Sequence, residues 1–104
     1  MQLITKKLAK VLPRLGETDL EPNPVVRAKF FYPDFSWTWF AIEFDGEDTC
    51  YGYVDGDFPE LGYFSLSELQ GVRGPLGLGI ERDRYFTPVP LKEIAPKLFE
   101  EDSQ

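Results

Sequence analysis

Apolar and polar positions change rhythm three times along the chain. Leu8, Val11, Leu12 and Leu15 recur at spacings of three and four, while Lys6, Lys7 and Lys10 fall mostly on the other side. That pattern predicts a helix capped by Thr5 and running to about Leu12, ended by Pro13, with its apolar stripe packed on the rest of the fold. Residues 16–24, GETDLEPNP, are a polar loop of turn formers. From residue 25 the pattern shortens to strand-length runs: 25–32, 37–44, 49–54 and 61–64, separated by YPDFS, DGED and DGDFPE. Strands joined by tight turns pair antiparallel, because parallel pairs need long crossovers. In FSLSELQG, Ser65 is a candidate N-cap, Glu68 completes a capping box, Phe64 can staple onto Leu69, and Gly71 stops a short helix. A glycine-rich loop leads to an extended piece over 83–86, and a last helix spans 91–99, limited or kinked by Pro96. The predicted fold is α+β: one domain over 1–104, an antiparallel meander of three to five strands, and short helices at the N-terminus, after the fourth strand and at the C-terminus. Residues from about 100 to 104 are expected to form a loose acidic tail.

The second strand, FSWTWFAIEF, poses a question of faces. Residues two apart share a face. A two- or four-residue tip at DGED places Trp37 and Trp39 with Cys50, Gly52 and Val54, and Phe40 and Ile42 with Tyr51 and Tyr53. Phe44 then continues the Phe40 face, and Glu43 and Asp45 fall on the tryptophan face; a three-residue tip reverses the pairing. Gly52 would leave room for an indole to lie flat. The expectation is that Phe40 and Ile42 face the core. The tryptophans sit at one end of the other face, partly covered, and its acidic end stays open to a basic protein surface. The candidate partner-binding residues are therefore Trp37, Trp39, Glu43, Asp45, Glu47 and Asp48.

Charge placement motivates that choice. The chain has 104 residues, is 42% hydrophobic and carries a formal net charge of -7, a composition that fits one globular domain. Between Phe30 and Val72 there is no Lys or Arg, while Asp34, Glu43, Asp45, Glu47, Asp48, Asp55, Asp57, Glu60 and Glu68 all lie there. Such a surface repels nucleic-acid backbone. Solvated hairpin tips are the plainer explanation of the same acids.

Much chemistry is missing. The sequence holds no histidine and one cysteine, Cys50, which removes His-based triads and cysteine-rich zinc sites, and predicts a buried inert thiol. DGED and DGDFPE do not match a calcium loop. No catalytic residue, metal or cofactor is assigned. The lysine-interrupted start reads as neither a signal peptide nor a membrane span, and with the lone cysteine it points to the cytoplasm.

RGPLGLG, residues 73–79, lacks the Lys-Ser/Thr ending of a phosphate loop and reads as a packed turn. In ERDR, residues 81–84, alternating signs suggest cross-strand ion pairs, and an Arg73–Glu81 or Arg73–Asp83 link is expected to lock the turn. Together, ELGYFSLSELQGVRGPLGLGIERDRYF (60–86), KFFYPDFSWTWFAIEFDGED (29–48) and TKKLAKVLP (5–13) resemble the bacterial domain-of-unknown-function family 2958 over nearly the whole chain. The resemblance implies a small protein of plasmids, integrative elements and phage-like regions, with no agreed activity. Ser65 and Glu68 are structural signature by their capping pattern; Arg73, Gly74, Pro75, Glu81, Arg82 and Asp83 carry over as signature. Gly79 departs from the family pattern, where a proline is expected, which implies a more flexible loop.

The resulting expectation is a non-enzymatic, acidic interaction protein of a mobile genetic element, an inhibitor or modulator of a host or defence protein, its sharpest form being nucleic-acid mimicry. The alternatives are a single-stranded nucleic-acid binder that stacks bases on Trp and Tyr, and an enzyme using carboxylates and arginine.

Overall fold

A computed structural model describes residues 2–100; the expected acidic tail lies, beyond Glu100, outside the described residues. The chain order is helix α1 (Lys6–Val11), strands β1 (Val25–Val26), β2 (Ala28–Phe31), β3 (Thr38–Phe44), β4 (Thr49–Asp55) and β5 (Glu60–Ser65), helix α2 (Leu66–Gly71), strands β6 (Glu81–Arg82) and β7 (Val89–Pro90), helix α3 (Leu91–Ile94) and a 3-10 turn (Pro96–Phe99). The five-stranded sheet runs β5-β4-β3-β2-β6, all antiparallel, and β1 pairs with β7 separately. The fold is α+β with the meander at its centre, as the turn signals require.

Three expected elements are shifted or divided. The strand over 25–32 breaks at Arg27, whose amide still reaches the Ala41 carbonyl at 2.9 Å. The extended piece moves upstream to Glu81–Arg82, because Asp83 turns the chain: its carboxylate takes the Tyr85 amide at 2.9 Å and its carbonyl the Phe86 amide at 3.3 Å. The last helix divides at Ala95, and Pro96 starts the 3-10 turn.

The sheet is covered on both faces. Leu3, Ile4 and Leu12 from the N-terminal segment, Leu66 and Leu69 from α2, and Ile80 pack with Phe30, Trp39, Ala41, Phe44 and Cys50. Leu91 and Ala95 pack on the other side with Val26, Phe40 and Ile42. The helical stripe is narrower than its spacing suggests. Leu12 is buried, but Val11 is 54% exposed and Leu15 is exposed too. The helix ends within two turns: Leu12 is already extended before Pro13, and the Pro13 carbonyl binds the Phe44 amide at 2.8 Å. Leu3 and Ile4, ahead of the helix, fill the space instead.

The β3–β4 hairpin departs from the expected register at its tip. Phe44 faces Cys50 and the Asp45 amide binds the Thr49 carbonyl, so Gly46, Glu47 and Asp48 form a three-residue tip. A bulge between Ala41 and Glu43 absorbs the resulting one-residue slip, so Trp39↔Val54, Phe40↔Tyr53 and Ala41↔Gly52 pair as expected. Beyond the bulge the faces exchange. Phe44 joins the Trp39 side, and Glu43 stands opposite Tyr51 on the Ile42 side. Gly52 serves the bulge, not an indole: a Cβ there would lie 1.8 Å from the Phe40 carbonyl oxygen. The glycine beneath a tryptophan is Gly56, whose Cβ would meet the Trp37 ring at 2.6 Å.

Candidate functional site

The bulge separates the tryptophans from the acids that were expected beside them. Glu43 is 2% exposed. Its carboxylate accepts the Gly16 amide at 2.8 Å, the Thr18 amide at 2.9 Å and the Thr18 hydroxyl. Burial alone would raise its pKa, but the Thr18 hydroxyl and the two amides outweigh that and hold it below the ordinary value. Glu43 is therefore an internal anchor for the 16–24 loop and not part of an open acidic face.

The tip acids are also engaged. Asp45 Oδ1 accepts the amides of Glu47, Asp48 and Thr49 at 2.7, 2.9 and 3.1 Å, which closes the turn and lowers its pKa. Asp48 reaches α2: its carboxylate binds the Ser65 hydroxyl at 2.5 Å, the Ser67 amide at 2.8 Å and the Ser67 hydroxyl at 2.9 Å, contacts that lower its pKa. Of the four acids expected from the sequence, Glu47 alone is exposed, with Asp45 and Asp48 half-buried. Cys50 is fully buried, and burial, with Asp45 and Asp48 adding to it, pushes its pKa up to about 12.

The signature residues sort mainly into structural roles. Ser65 caps α2 by accepting the Glu68 amide at 3.4 Å. Arg73 pairs with neither Glu81 nor Asp83; it donates to the Gln70 and Val72 carbonyls at 2.8 and 2.7 Å, at the end of α2. Asp83 pairs with Lys29 at 3.8 Å instead. The difference follows from topology, since β6 runs beside β2 and brings Asp83 to Lys29. Gly74 closes the glycine loop through its amide to the Leu78 carbonyl at 2.9 Å, with Pro75 exposed at the turn. Glu81 lies opposite Phe31, and Arg82 donates to the Gln2 and Leu3 carbonyls at 3.1 and 3.0 Å.

The tryptophan end of the expected face stays partly open, and it is aromatic. At the end of β3 away from the acidic tip, Tyr32, Phe35, Trp37, Trp39, Val72 and Asp57 line a groove of about 470 Å³. Trp39 forms its buried side, Trp37 is half-buried above Gly56, and Phe35 is 54% exposed. The two indole centroids are 5.8 Å apart, and those of Tyr32 and Phe35 are 5.1 Å apart. All six lining residues fall inside the 30–72 stretch that lacks Lys and Arg, and Asp57 is the one charged group among them. An aromatic wall with a single carboxylate suits a cationic side chain, attracted by the ring faces and the acid together. Sequence reasoning found the tryptophans but missed Tyr32, Phe35, Asp57 and Val72. The three-residue spacing of Tyr32 and Phe35 across the YPDFS turn was the available signal.

Among the described residues, no group of three or more His, Cys, Asp or Glu is placed to hold a metal ion, and no helix is long and apolar enough to cross a membrane. No curated protein and no solved structure matches the chain. A family model does, over residues 2–95, and the chain belongs to that family, described as protein of unknown function (DUF2958).

Proposed function

We propose that this is a non-enzymatic interaction protein of a mobile genetic element that binds a basic surface of a host or defence protein and modulates it. The supporting observation is the Tyr32–Phe35–Trp37–Trp39 groove, half-open, aromatic and rimmed by Asp57, with no cation in its lining. A partner's Lys or Arg side chain would be the anchor, and the surrounding acidity would select the partner and speed encounter. This reading rests on the aromatic groove and not on the hairpin-tip acids. Glu43 is internal, the Asp45 carboxylate accepts the amides of its own turn, and the Asp48 carboxylate accepts from Ser65 and Ser67. Base stacking on the same rings is the alternative, but a strand needs cations along its phosphates and none lines the groove.

Affinity capture from a host cell, with mass spectrometry of what is retained, tests the proposal. The wild-type protein is compared with Phe35→Ala, a change at an exposed ring. A basic protein held by the wild type and lost by the variant supports it. An identical set of proteins held by both contradicts it.

A further inference from the structure

A second concave site, which shares no lining residue with the first, has the opposite charge. Between α1 and the β2–β6 edge lies a cleft of about 340 Å³ whose walls carry Lys7, Arg27, Arg82 and Arg84 against one carboxylate, Asp83. In a chain of net charge -7, with 11 basic residues in all, that convergence opposes the protein's overall field. Asp83 does little to offset it, because its carboxylate is occupied by Lys29 at 3.8 Å and by the Tyr85 amide. Arg82 fixes one wall through the Gln2 and Leu3 carbonyls. Arg27 is half-buried, and its Nε is buried without a hydrogen-bond partner among the described residues.

The rest of the lining is apolar. Leu8, Val11 and Phe86 face the same space, which places the 54% exposed Val11 beside the cationic cluster. A ligand matching both parts has an anionic head and a flat or apolar body. We propose that this cleft binds a nucleotide through its phosphate monoester, with the base against Leu8, Val11 and Phe86. A phosphate monoester carries about -1.5 to -2 at neutral pH and offers three acceptor oxygens, which suits several cations better than one carboxylate would. The volume falls at the small end of ligand sites, about 300–1,000 Å³.

A free mononucleotide and the 5′-phosphorylated end of a single strand present the same chemistry. Isothermal titration of the wild-type protein with AMP, UMP, adenosine, and short single strands with and without a 5′-phosphate separates them. Saturable binding of AMP or UMP, but not adenosine, supports a free nucleotide; binding of the phosphorylated strand alone supports a strand end. Lys7→Gln with Arg84→Gln, both exposed positions, should weaken either by about tenfold or more, whereas Phe35→Ala at the aromatic groove should leave it unchanged. The proposal is overturned if no phosphorylated probe binds at millimolar concentration, if adenosine or the unphosphorylated strand binds as well, or if the double variant binds with wild-type affinity.

Discussion

Glu43 accepts both the amide and the hydroxyl of Thr18 from inside the fold, across 25 positions of sequence. A carboxylate that reads as surface charge on an alternating strand is thus the point at which the long 16–24 loop is tied to the sheet. Glu43→Ala should destabilise the protein by about 2 kcal/mol or more, since the buried amide and hydroxyl of Thr18, and the part-buried Gly16 amide, lose their acceptor. Equilibrium denaturation measures this, and an unchanged midpoint would contradict the anchor.

The same contact sets a pH dependence. The folded-state pKa of Glu43 is depressed below its ordinary 4.5, so its contribution is complete above the unfolded value and lost as pH falls through the folded one. Asp45 and Asp48 are shifted in the same direction. Stability should therefore fall below about pH 4.5, and Glu43→Gln should flatten part of that fall. Thermal melts from pH 7 to pH 3 check the slope.

The α2 start is held twice, by Ser65 from within and by Asp48 from the hairpin tip. Ser65→Ala should cost on the order of 1 kcal/mol. Asp48→Ala should also lower the melting temperature, and the two effects should be non-additive, because the Asp48 and Ser65 side chains share a hydrogen bond. A double-mutant cycle with strict additivity would show that the bridge does not couple them.

Gly52 and Gly62 face each other across β4 and β5 yet differ in tolerance. A Cβ at Gly52 would overlap the Phe40 carbonyl, whereas nothing lies within 4 Å of one at Gly62. Gly52→Ala should cost about 3 kcal/mol or more, at the severe end of overpacking. Gly62→Ala should change stability by less than about 1 kcal/mol. Equal effects would argue against the bulge at Ala41–Glu43.

How much of this was legible in the sequence follows from the range of each signal. Local signals gave correct features: the Thr5 and Ser65 caps, the antiparallel meander, and the Trp39↔Val54 and Phe40↔Tyr53 pairs. The faces of Glu43 and Phe44 were not legible, because a three-residue tip and a compensating bulge leave the alternation of apolar residues almost unmarked. Arg73 invited an acidic partner by proximity along the chain, but β6 folds back beside β2 and gives Asp83 to Lys29. The tryptophan end of the site was visible as a pair of large aromatics two apart. Its Asp57 rim was not, since that depends on the β4–β5 turn meeting the β2–β3 turn in space.

Both tryptophans of the chain line the aromatic groove, so intrinsic fluorescence reports on the proposed contact directly. The deciding measurement is a titration with an arginine- and lysine-rich peptide and, in parallel, a glutamate-rich peptide of equal length. A saturable emission change is expected with the basic peptide alone, weakened by salt, by Asp57→Asn and by Phe35→Ala. No response to the basic peptide, or an equal response to the acidic one, would contradict it.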